Sequence, residues 1–185
     1  MHEIRSWFAQ PAAGLALVLA ATGAPIQVSG QEVPVGRTAT RNEATNARLK
    51  QPRENAAVAE AIRGAARRLA HARCRGLLDE FADASGQPLR AVLAAQGTDA
   101  GGYLDRIFFY DANASACEGT MLAGATGPGS RVIRVCGRRF ERTMTESSSY
   151  GEALSIHEML HSLGLGENPP TTQYMTSRVR AQCQQ

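Results

Sequence analysis

The sequence predicts one α+β domain, with N-terminal helices, a short antiparallel β-sheet, and then helices again. Three observations predict it. Residues 53–96 show helical spacing of apolar side chains; residues 104–136 hold short apolar runs separated by turn residues; residues 137–183 return to helical spacing. A chain of 185 residues suffices for one proper core and is too short for two.

Residues 1–30 read as a signal peptide. Arg5 lies in a short polar start, a small apolar run spans Ala12 to Ala21, and Val28-Ser29-Gly30 suits signal-peptidase cleavage before Gln31. A spanning helix needs roughly twenty apolar residues, more than this run supplies. The competing reading, a buried N-terminal helix, is opposed by Gly14, Gly23 and Pro25. The expectation is a secreted or periplasmic protein that leaves the membrane after signal cleavage. Cleavage would remove Arg5 and Glu3 together, so the net charge of +3 is unchanged. That charge is too mild to argue for nucleic acid.

Residues 31–52, with Pro34, Gly36 and Pro52 and few large apolar side chains, read as a disordered linker or pro-segment, and residues 53–185 as the domain. Val58, Ile62 and Leu69 mark a first helix from Arg53 to about Ala70; a second is expected from Arg73 to Ala84, before Ser85-Gly86. Pro88 opens a short helix to about Gln96, and Gly101-Gly102 breaks the pattern. Ile107, Phe108, Phe109 and Tyr110 form a buried strand. Strands near Thr120–Ala125 and Arg131–Cys136 flank a Thr-Gly-Pro-Gly-Ser turn and predict a hairpin.

Gly137 to about Met144 reads as a basic surface helix, with Glu118 and the Arg138-Arg139 pair as solvated groups. Tyr150 to Leu163 reads as an amphipathic helix with Ile156, Leu160 and Leu163 on its apolar side, ended by Gly164 and Gly166. A last helix starts near Thr171 or Thr172, after Pro169-Pro170, and carries Met175 and Val179 on its apolar face.

Cysteines 74, 117, 136 and 183 make an even set, which in an exported chain points to two disulfides. Of three possible pairings, the favoured one joins Cys117 to Cys136, which flank neighbouring strands, and Cys74 to Cys183, both on helices. No C-x-x-C spacing supports a cysteine metal site.

The chemistry gathers in the sequence His157-Glu158-Met159-Leu160-His161. Two histidines four apart on a helix share one face and can share a tetrahedral zinc ion. Glu158, about one hundred degrees round the helix, can act on a water as general base without ligating the metal. Catalytic zinc takes three protein ligands, and Gly164 can turn the chain back so that Glu167 supplies the third. Glu141, Glu146 and Glu152 are alternatives. His157 and His161 as ordinary buried helix histidines, with Glu167 a surface carboxylate, is the competing reading. Tyr150 and Tyr174 are read as packing residues, and His2 and His71 as incidental.

The stretch H-E-x-x-H-x-x-G-x-x-E resembles the zincin metallopeptidases and, by spacing, the metzincins, whose pattern ends in His. The segment from Ile156 to Cys183 also resembles a group of small exported bacterial proteins described as metallopeptidases. At Glu167 the stretch departs from the metzincin pattern, and the resemblance is to the zincins as a whole. The resemblance implies a small zincin-like domain that binds Zn2+ through His157, His161 and Glu167 and hydrolyses peptide bonds with Glu158 as base. It is expected to be a monomer acting on a peptide or protein substrate. The alternatives are a non-catalytic, zinc-stabilised binding module and an enzyme inhibited by its own residues 31–52.

Overall fold

The computed structural model describes residues 46–184. The expected signal peptide and the first part of the expected linker, residues 31–45, lie outside these residues. In chain order the elements are β1 (Asn46–Arg48), α1 (Pro52–Leu69), α2 (Ala72–Arg75), α3 (Leu77–Glu80), α4 (Leu89–Ala95), α5 (Ala100–Leu104), β2 (Phe108–Asp111), β3 (Ala123–Ala125), β4 (Val132–Val135), α6 (Gly137–Glu146), α7 (Ser148–Ser162) and α8 (Thr172–Cys183). The class is α+β as expected, with helices on both sides of the sheet in the sequence.

The sheet has the order β1-β2-β4-β3. Only the expected hairpin, β3 with β4, is antiparallel; β1 with β2 and β2 with β4 run parallel, so the sheet is mixed rather than antiparallel. The parallel pairs follow from the connections. The chain returns from β1 through α1 to α5 before entering β2, and β4 enters between β2 and the edge strand β3.

Four local expectations are corrected. Asn46–Arg48, expected in the linker, is a strand whose Ala47 is buried against the core, so ordered structure begins before Arg53. The expected helix from Arg73 to Ala84 is two short helical segments meeting at Gly76 and ending at Phe81. Gly101-Gly102 lies inside α5: Asp99 caps it by accepting from the Gly102 N–H at 2.7 Å, and burial of Tyr103 and Leu104 outweighs the glycine penalty. The aromatic run at β2 alternates: Phe109 is buried, whereas Phe108 is 37% exposed.

α1 packs on α5, α6 and α7, and α7 on α8 and β3. The inner face of the sheet contributes Ala47, Phe109, Ile133 and Val135 to this core; on the outer face the Arg134 guanidinium lies 5.5 Å from the centre of the Tyr110 ring. α7 sits at the centre. Every residue from Ser155 to Leu163 is buried, so the helix is covered all round rather than amphipathic. Met175 and Val179 of α8 are wholly buried against the same core, as expected for their face.

Both favoured disulfides are formed. Cys74–Cys183 ties α2 to the end of α8, and Cys117–Cys136 ties a 3-10 turn to the start of α6. Arg68 adds a polar link between helices: its Nε donates to Glu152 on α7 at 2.5 Å and its Nη1 to the Cys183 carbonyl at 2.5 Å. Gly64 makes room for that link, because a methyl group there would lie 2.2 Å from the Glu152 carboxyl. No helix among the described residues is long and apolar enough to cross a membrane.

Candidate metal centre

α7 carries His157, Glu158 and His161 in its last two turns, where one helix turn brings the histidines onto one side. The helix then stops at Gly164, whose φ of +110° few residues with a side chain adopt. The reversal carries the Leu165 carbonyl back under His161, which donates from Nδ1 at 2.8 Å. A carbonyl only accepts, so Nδ1 carries a proton, which leaves Nε2 as the nitrogen that can offer a lone pair.

That Nε2 lies 3.2 Å from Nε2 of His157 and 3.5 Å from Oε1 of Glu167. The three ligand atoms lie within 4.8 Å of one another. Nitrogen and oxygen ligands at about 2.0–2.1 Å from a tetrahedral zinc stand roughly 3.3 Å apart, so two of these separations match the edge of such a site. His157, His161 and Glu167 could therefore hold a metal ion. Glu167 is placed by the turn after Gly164 and fixed by Thr172, whose hydroxyl donates to Oε1 at 2.6 Å.

The other carboxylates considered for the third position are elsewhere. Glu141 pairs with Arg53, Glu152 pairs with Arg68, and Glu146 is exposed on α6. Among the described residues, His157, His161 and Glu167 are the one set of three such side chains with ligand atoms close enough together.

Electrostatics favour a neutral imidazole at His157. Burial pushes His157 down to about 4, with His161 adding to the effect and the Glu167 carboxylate opposing it. Burial also raises Glu158, against the pull of His161 and of the Ala125 N–H and with a further push from Glu167. Glu158 is held rather than free, since its Oε2 accepts from the Ala125 N–H of edge strand β3 at 2.7 Å.

These groups line a cleft of about 550 Å³ between β3 and the end of α7. Met121, Leu122, Tyr150 and Leu154 form its apolar wall, and Thr172 and Thr176 face it from α8. Among the described residues, Glu158, His161, His157 and Glu167 are its only ionisable side chains apart from Tyr150. Tyr174 lies outside the cleft lining, half exposed, with its hydroxyl 3.4 Å from Glu80.

Three contributors were not visible as such in the sequence. Thr176 Oγ1 lies 3.2 Å from Nδ1 of His157. The Leu165 carbonyl fixes His161, although the Gly164 turn beside it is legible. Arg139, expected to be a solvated group, donates instead to the carbonyls of Cys117, Gly119 and Met121 and so braces the loop that enters β3. The 117–136 disulfide closes the same loop. In comparisons with known proteins, no family model, no curated protein and no solved structure matches the chain.

Proposed function

We propose that the chain is an exported, zincin-like zinc metallopeptidase whose metal is held by His157, His161 and Glu167 and whose general base is Glu158. One observation carries the reading. Two imidazole nitrogens and a carboxylate oxygen converge at spacings suited to a tetrahedral metal, and the remaining ring nitrogens are engaged by Leu165 and Thr176. The two disulfides suit an oxidising compartment.

Zinc, when bound, supplies Lewis acidity toward a carbonyl and brings the pKa of water near 7. Glu158 supplies the proton handling. As a carboxylate steadied by the Ala125 N–H, it takes a proton from water as the oxygen attacks the peptide carbonyl carbon. It then delivers that proton to the amide nitrogen as the C–N bond breaks. The peptide class is favoured by β3, which pairs with β4 along one edge and borders the cleft along the other. An extended chain could lie along that border and bring a carbonyl to Glu158.

The test is zinc content and peptide hydrolysis of the purified protein and of Glu158→Gln. The reading expects about one zinc per chain in both and a loss of roughly 10²–10⁴-fold in turnover for the variant. Zinc at full occupancy with no turnover of a peptide library by the unaltered protein would instead favour a zinc-stabilised binding module.

A further inference from the structure

We infer that Thr176 is a positioning residue for His157, and that α8 completes the metal centre without supplying a ligand; this rests on the reading of His157 as a ligand. Thr176 lies nineteen residues beyond His157, on a different helix, and its Oγ1 stands 3.2 Å from the His157 Nδ1. It is half-buried and faces the cleft.

The chemistry of the ring gives this contact a direction. Nε2 of His157 is turned toward Nε2 of His161, and a neutral imidazole can offer a lone pair there only if Nδ1 holds the proton. In that tautomer the threonine oxygen accepts the Nδ1–H, and the contact holds the ring with Nε2 turned toward the site. Without it, the His157 ring loses its Nδ1 partner and is free to turn Nε2 away from Nε2 of His161, whose own tautomer is set by Leu165. Thr176 therefore keeps Nε2 of His157 turned toward Nε2 of His161, the arrangement in which the two nitrogens can share one cation.

Helix α8 is fastened firmly enough to impose this. Its end is joined to α2 by Cys74–Cys183, and Glu80 accepts from Arg178 at 2.6 and 2.9 Å and from Gln182 at 2.7 Å. Met175, the neighbour of Thr176, is wholly buried.

Zinc dissociation constants, measured by competition with a chromophoric chelator, test the inference on the full mature chain and on Thr176→Val, Thr176→Ser and Ser177→Ala. Valine keeps the shape and removes the acceptor, serine restores the acceptor, and Ser177 bonds only to the Tyr174 carbonyl in the structure. The expected result is a roughly 10–100-fold weaker zinc affinity for the valine variant. The serine and Ser177→Ala variants should stay within about threefold of the unaltered protein, with metal-free melting temperatures alike. If valine does not fold, Thr176→Ala takes its place with the same expectation. Unchanged affinity in the valine or alanine variant, with the parent binding zinc, overturns the role of Thr176 alone. Failure of the parent to bind zinc overturns the metal centre and this inference together.

Discussion

Removing the Cys74–Cys183 disulfide should cost more than removing Cys117–Cys136, and the difference can be worked from the loops they close. The separations are 109 and 19 residues. Chain-entropy loss in the unfolded state scales with the logarithm of loop length, giving about 4.8 kcal/mol for the long loop and about 3.2 kcal/mol for the short one at 25 °C. The long tether should therefore be worth about 1.6 kcal/mol more. Against a typical domain stability of roughly 5–15 kcal/mol, its loss removes a large share of the total. Both Cys74 and Cys183 are buried, so alanine is the better replacement than serine. The assay is urea unfolding of the two double-alanine variants, followed by circular dichroism. A larger loss from the short loop than from the long one would refute the argument.

Gly64→Ala should destabilise the fold by about 1–3 kcal/mol, because the added methyl meets the Glu152 carboxyl at 2.2 Å and displaces its bond to Arg68; thermal melting reads this. An unchanged melting temperature would show that Glu152 moves freely. Arg178 holds the Glu80 carboxyl below the ordinary glutamate range, with burial opposing it. The stabilisation from Glu80 is accordingly complete above its unfolded value of about 4.3 and is lost as pH falls through the lowered folded value. Urea midpoints recorded down the acid range should fall less steeply for Glu80→Gln than for the parent, and equal slopes would contradict the assignment.

The grouping of His157, His161 and Glu167 is largely legible in the sequence because its signal is local. One helical turn sets the spacing of His157 and His161, and one glycine at positive φ sets the return that brings Glu167 to His161. The disulfide pairs were legible for a related reason, since each cysteine could be assigned to an element and the elements paired. Strand direction was not: whether β2 runs parallel to β4 depends on where β3 inserts, which no short window of sequence states. β1 was missed because three residues with only Ala47 buried carry no period. Thr176 and Arg139 look like ordinary surface polar residues until the packing of α8 and the 117–122 loop gives each a partner. Such partners are tertiary facts.

The expectation of export depends on residues 1–30, outside the described part of the chain, and is checked by sequencing the N-terminus of the mature protein; a start at Gln31 is expected. The central claim is more directly exposed by the metal itself. Elemental analysis of the purified protein and of Glu167→Ala, each dialysed against the same dilute zinc buffer, should find one zinc per chain in the first and markedly less in the second, because only two of the three proposed ligands would remain. A purified protein that retains no zinc, or a Glu167→Ala variant that retains it fully, would contradict the account.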